Sequence, residues 1–298
     1  MATLFVGLGR MGAPMVRRYA GTTATVLFDV DTAIARALAD DIAARPLDSL
    51  AELPDDVDTV ILMLPNSRIV ESVLEADGLL DRLPGGALVI DMGSSEPTST
   101  RRLAEAARER GIGYVDAPVS GGVAKAVTGQ LSIMVGGEVA DASRARPHLA
   151  PMGATILDVG PSGAGHAAKA LNNLLSATNI AAAAEVLAVA SSFGIDPGVM
   201  VAVLNASTGR SQATEVKYPK YVVTGCYDSG FAMDLMLKDV AIAQSLARGE
   251  GLQTPVTDAA AEAAGNARAT LARDDLDHTE LARYYEYINQ VSFRATGA

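Results

Sequence analysis

A single cysteine, Cys226, stands in the 298-residue sequence, so no disulfide can form within the chain and nothing points to an oxidising compartment. It reads as a small filler residue. Basic clusters are absent too. With 24 Lys and Arg against 35 Asp and Glu, the net charge is −11, which argues against a nucleic-acid or anionic-membrane surface and favours solubility. An anionic substrate would need a local pocket to overcome that field. There is no internal repeat and no low-complexity tract. The longest apolar region, 167–193, is interrupted by Lys169, Asn172, Asn173, Asn179 and Glu185, and reads as a buried core helix rather than a membrane span. The first strand begins near Thr3, which leaves no room for a signal peptide, and a cytoplasmic location is expected. Histidine is scarce. His148 falls in an expected surface helix, His278 in an acidic stretch, and His166 at a helix start, where a capping or surface role is the reading. No metal site is expected.

What is present is a chain about half apolar, enough for a well-buried interior. Short β-rich runs at 3–9, 23–29, 58–64, 87–91, 112–116, 131–135 and 155–159 alternate with helical stretches, the pattern of a mainly parallel sheet. The last two runs lie close together, so a local antiparallel extension is expected. After Gly160 strand signals almost vanish. A boundary at 161–165 divides the chain into 1–162 and 163–298. A long helix over about 166–193, ended by Gly194 and Pro197, is followed by helices at about 197–205, 235–250, 257–272 and 279–290.

The first strand runs directly into Gly7-Leu8-Gly9-Arg10-Met11-Gly12 and then a helix. In a Gly-x-Gly-x-x-Gly turn, Gly7 makes the tight turn, Gly9 lets a pyrophosphate approach the backbone, and Gly12 lets helix and sheet pack closely. The helix N-terminus adds amide N–H groups and a positive dipole end. Asp29 ends the next strand, placed to accept hydrogen bonds from ribose hydroxyls and to repel a 2′-phosphate. No Lys or Arg follows at 30–33 to neutralise such a phosphate, so NAD is expected over NADP. Asp31 reads as an N-cap. Together these features predict an α/β Rossmann N-terminal domain and an all-α C-terminal domain joined by a long interdomain helix. The turns carrying Leu64-Pro65-Asn66-Ser67 and Gly93-Ser94-Ser95 fall at the carboxyl edge of the sheet, where a dinucleotide crevice forms.

Hydride transfer from an alcohol needs a group to take the hydroxyl proton. Lys169, in the first turn of an otherwise apolar helix, is the candidate; burial would lower its pKa and fit it for that task, while pointing into solvent is the alternative. Asn173, four residues on, shares its helix face and could orient a hydroxyl or carboxylate, and Asn172 is expected to make structural hydrogen bonds. Ser120 with the backbone N–H groups of Gly121 and Gly122 could form a nest for a carboxylate, or be an ordinary loop.

These residues together resemble the β-hydroxyacid dehydrogenase family, on its 3-hydroxyisobutyrate side. Four motifs carry the likeness over nearly the whole chain: 7–15, 116–122, Gly163-Ala164-Gly165 with 169–173, and Lys238-Asp239. The resemblance implies Lys169 as general acid/base, Ser120, Gly121 and Gly122 on the substrate carboxylate, and Asn173 positioning the reacting end. It implies cofactor contacts from Gly7 through Gly12, Asp29, Leu64, Pro65, Ser94 and Lys238, and a homodimer or homotetramer. Ser176 stands seven positions after the lysine, where the phosphogluconate members carry an acid, so decarboxylation of a sugar phosphate is not expected. Imine-reducing members usually lack the lysine, and sulfonate-handling members alter the Ser-Gly-Gly loop. The expected reaction is NAD-dependent, reversible oxidation of a short 3-hydroxy acid, a small carboxylate substrate, to its semialdehyde. Reduction of tartronate semialdehyde or another polar semialdehyde, and non-catalytic dinucleotide sensing, are the alternatives. Arg210 could meet an anion or make a structural ion pair, and Phe231 could wall the pocket.

Overall fold

The central strands of the first half are buried on both faces, which is why they read as continuous apolar runs rather than alternating ones. The computed structural model describes residues 1–295. It separates into two compact units, Met1–Lys169 and the remainder from Ala170. In the first, β1 (Ala2–Val6), β2 (Ala24–Phe28), β3 (Arg45–Pro46), β4 (Val57–Leu62), β5 (Leu88–Asp91) and β6 (Gly113–Asp116) form a parallel sheet in the order β3-β2-β1-β4-β5-β6. Successive residues point to opposite faces and feed two cores: Phe5, Leu27, Ile61, Ile90 and Val115 on one side, Leu4, Val26, Val60, Leu62 and Val89 on the other.

The sheet continues through β7 (Val119–Ser120), β8 (Leu131–Gly137) and β9 (Gly153–Gly160). The antiparallel extension is present, but between β8 and its neighbours β6 and β7. The two runs expected to form it, β8 and β9, pair in parallel across the intervening helix Val139–Leu149. β3 and β7 were not expected, since a two-residue strand leaves no pattern to read.

Register aligns the carboxyl ends of five strands. Val6 pairs with Phe28 and Leu62, Leu62 with Asp91, and Asp91 with Asp116. Each motif of the first unit therefore leaves the sheet along one line. Chain order reverses on either side of β1, and the glycine loop leaves at that switch point.

The long helix spans Ala164–Phe193, starting two residues before the expected position, so Lys169 lies in its second turn rather than its first. By length and composition this helix could cross a membrane, but half of its most apolar stretch is buried inside the protein. From Ala170 onward it packs Leu174, Ala177, Ile180 and Ala184 into a core with Tyr218, Met233, Met236, Ala264, Leu281 and Phe293. The helices Pro197–Ala206, Met233–Gly249, Pro255–Leu271 and Glu280–Asn289 lie close to where the pattern put them. A further one, Ala213–Val222, was not anticipated. It is a π-helix with Pro219 inside, and its wider turn accommodates a residue that would break an α-helix. Cys226, just beyond it, is exposed and not the filler expected.

Candidate active site

The glycine loop meets its three steric demands in three different ways. Gly7 has φ +92°, and a Cβ there would stand 2.4 Å from the Met63 carbonyl oxygen at the head of the neighbouring turn. A Cβ on Gly12 would lie 1.9 Å from the Gly7 carbonyl oxygen, so only glycine lets the helix Gly12–Tyr19 start against the turn. A Cβ on Gly9 would meet nothing within 4 Å. The protein's own packing gives no reason for glycine at that position, whereas a dinucleotide lying on the exposed backbone of Gly9 and Arg10 does. Leu8 is buried and Met11 half-buried beside them.

Asp29 is half-buried, and one of its oxygens accepts the Leu8 N–H at 2.7 Å while the other accepts the Asp31 N–H at 3.0 Å. The carboxylate thus fixes the glycine loop. Asp31 caps the helix Thr32–Ile42 through the Ala33 N–H, as expected. Leu64 is buried, Pro65 exposed and Ser94 half-buried, at the ends of β4 and β5. Ser95 turns inward and donates to Asp91. The residues present fit a dinucleotide along this edge.

Ser120 is half-buried in β7, and the exposed Gly121 and Gly122 follow with φ of +133° and +68°. Behind them lies a buried polar cluster that sequence reasoning missed. Asp116 accepts the Gly163 N–H at 2.8 Å and the His166 N–H at 2.9 Å, capping the first turn of the long helix from 47 and 50 residues away. His166 is fully buried, not at the surface; its Nδ1 bonds the Thr100 hydroxyl at 2.8 Å, and its Nε2 lies 3.8 Å from the Asp91 carboxylate. Gly136 and Gly165 leave the space that Asp116 fills, since a Cβ on either would come within 2.8 Å of its carboxylate. His148 is half-buried and bonds the Tyr19 hydroxyl, with its pKa held below the ordinary value by burial.

Lys169 is half-buried on the long helix. In the second unit Asn173 is buried, its amide donating to Asp239 and accepting from Asn172. Asp239 is buried and also lies 3.5 Å from the Lys238 ammonium. The adjacent pair Lys238-Asp239 was visible in the sequence; that Asp239 holds Asn173 was not. Arg210 is exposed and pairs with Glu215 at 3.5 Å. Phe231 is half-buried, with its ring edge-on to buried His278. Among the described residues no group of three or more His, Cys, Asp or Glu side chains is arranged to hold a metal ion.

Comparison with known proteins agrees with this geometry. Residues 3–160 match the family described as the NAD binding domain of 6-phosphogluconate dehydrogenase, and residues 163–285 match the family described as NAD-binding of NADP-dependent 3-hydroxyisobutyrate dehydrogenase. The 2-(hydroxymethyl)glutarate dehydrogenase of Eubacterium barkeri is 36% identical over 97% of this chain and 96% of its own length. The NAD-dependent L-serine dehydrogenase of Pseudomonas aeruginosa is 38% identical over 85% and 87%. Among solved structures, Mycobacterium tuberculosis 3-hydroxyisobutyrate dehydrogenase with L-serine superposes with a TM-score of 0.87 at 31% identity, covering 95% of this chain and 98% of that one. Such relatives are hydroxyacid dehydrogenases, and the likeness spans both units. With its glycine loop opening onto the sheet edge and its long helix following, the chain belongs to the β-hydroxyacid dehydrogenase family and is an NAD-dependent oxidoreductase.

Proposed function

We propose that the protein oxidises a short 3-hydroxy acid of the 3-hydroxyisobutyrate type, reversibly, to its semialdehyde, with NAD preferred to NADP. The supporting observation is Asn173: its amide is held on both sides, by Asp239 and by Asn172, one helical turn after Lys169. A buried amide locked in this way is suited to orienting a substrate, since its own rotamer entropy is already spent.

In this reading the substrate carboxylate rests on Ser120 and the backbone N–H groups of Gly121 and Gly122. Neutral Lys169 takes the hydroxyl proton at Nζ, and in the reverse direction its ammonium returns that proton to the carbonyl oxygen. Asn173 holds the reacting oxygen. Lys238, tied to Asp239, completes the cofactor side with Gly7 to Gly12, Asp29, Leu64, Pro65 and Ser94. NAD, when bound, supplies the hydride acceptor. Asp29 favours NAD because a 2′-phosphate beside it would face its negative charge. The same reading makes the protein a cytoplasmic homodimer or homotetramer.

The test is nicotinamide reduction by the purified protein with NAD and NADP in parallel, across 3-hydroxyisobutyrate, 3-hydroxypropionate, glycerate, serine and threonate. NAD-linked turnover of one of these acids is expected. Measurable NAD binding without turnover of any of them would overturn the reading.

A further inference from the structure

From Ala117 to Gly137 the chain carries a single charged side chain, Lys125, although 20% of all its residues are charged and acids outnumber bases by 35 to 24. That stretch holds the Ser120-Gly121-Gly122 loop, and Lys125 stands four residues after Gly121, on the helix Gly122–Thr128. One helical turn brings the two together. A Cβ built on Gly121 would lie 2.6 Å from Lys125 Cδ, 2.9 Å from its Cβ and 3.1 Å from its Cγ, so the aliphatic stem lies along the glycine. The ammonium, two bonds past Cδ, is thereby kept beside the loop. The backbone under it is fixed as well. The Lys125 carbonyl accepts the Gln130 N–H at 2.8 Å, and Ala126, the next residue, is fully buried.

Packing gives no reason for a lysine at this position. Lys125 is exposed, and among the described residues no carboxylate pairs with it. The nearest acid in the sequence, Asp116, is turned inward to the Gly163 and His166 N–H groups. The charge has a use if an anion rests on the loop. Hydroxyl and amide donors of the kind that Ser120, Gly121 and Gly122 offer bind a neutral carbonyl oxygen as well as a carboxylate, only less strongly. A positive charge at the rim separates the two, since it attracts the anion alone, and it offsets locally the field of an acidic protein.

We infer that Lys125 is a specificity-determining residue whose ammonium attracts the substrate carboxylate onto the Ser120–Gly122 loop and selects acids over their esters and amides. This rests on the reading above, which puts the carboxylate on that loop. Lys125 takes no part in moving the proton, and its contribution falls on binding.

The experiment compares 3-hydroxyisobutyrate with its methyl ester on the wild type, Lys125→Met and Lys125→Arg. In parallel, binding of isobutyrate and of isobutyramide to the NADH-loaded proteins is measured by calorimetry. Lys125→Met should lose about threefold to tenfold in kcat/KM on the acid, through KM, and stay within about twofold on the ester. The loss on the acid should shrink as salt is raised, because an exposed charge is screened. Lys125→Arg, which keeps the charge, should retain most of the preference for the acid. Isobutyrate should bind Lys125→Met about threefold to tenfold more weakly than it binds the wild type, with isobutyramide unchanged. Equal losses on acid and ester, or no loss on the acid, would overturn the inference while leaving the 3-hydroxy acid reading intact. Lys125-dependent binding of isobutyrate without turnover of any acid would support the inference and count against the reaction. Absence of both would overturn the two together.

Discussion

Gly9 and Gly12 occupy one loop, yet they are glycine for opposite reasons, and substitution separates them. A methyl on Gly12 must displace the Gly7 carbonyl, so Gly12→Ala should lower stability by about 1–3 kcal/mol in urea unfolding. Gly9→Ala meets no protein atom, so its unfolding midpoint should match the wild type while its NAD dissociation constant rises about tenfold or more. A Gly9→Ala protein that unfolds early would show that the glycine serves the fold instead. At this scale the sequence was informative wherever the partner is local: the three glycines, Asp29 and Asp31 could be read from their neighbours. Asp116, His166 and Asp239 could not, because each owes its setting to a residue brought close only by folding. Asp116 reaches Gly163 across 47 positions and Asn173 reaches Asp239 across 66.

Among elements, the long helix shows how such distant contacts matter. Its start is fixed by Asp116, whose two oxygens take the N–H of Gly163, just before the helix, and that of His166 in its first turn, in a buried setting. Asp116→Ala leaves both donors unsatisfied and should cost about 2–5 kcal/mol, read as a shift of the urea midpoint with m unchanged. Asp116→Asn keeps one acceptor and should cost less. The start of the last helix has a similar device. Asp277 accepts from Ser229, the Gly230 N–H and Thr279. Burial by itself would raise its pKa, but the hydrogen bonds from His278 and Thr279 outweigh it and hold the carboxyl well below its ordinary 3.8. The folded state therefore releases this proton more readily than the unfolded one. The stability this gives is full above about pH 4 and is lost as pH falls through the lower folded value. The urea midpoint of the wild type should fall more steeply below pH 4 than that of Asp277→Asn. The α-helices and long strands were legible because their apolar period is regular. The π-helix and the two short strands were not, since one contains a proline and the others are too short to show a period.

For the whole molecule, an excess of acidic residues keeps the surface soluble, but the far end of the long helix departs from that character. Val189 and Phe193 are 72% and 84% exposed on a helix whose other faces are buried. Single exposed apolar residues are ordinary, whereas Val186, Val189 and Phe193 share one face of the helix, which fits the homo-oligomer proposed above. Phe193→Asp should shift the protein toward monomer in sedimentation velocity, and an unchanged distribution would place the interface elsewhere. If Lys169 moves the substrate proton, single-turnover hydride transfer by Lys169→Ala, measured beside its NAD affinity, will show it. The chemical step should slow by about 10²–10⁴-fold with NAD binding nearly unchanged. A variant that transfers hydride at the wild-type rate would remove Lys169 from the mechanism.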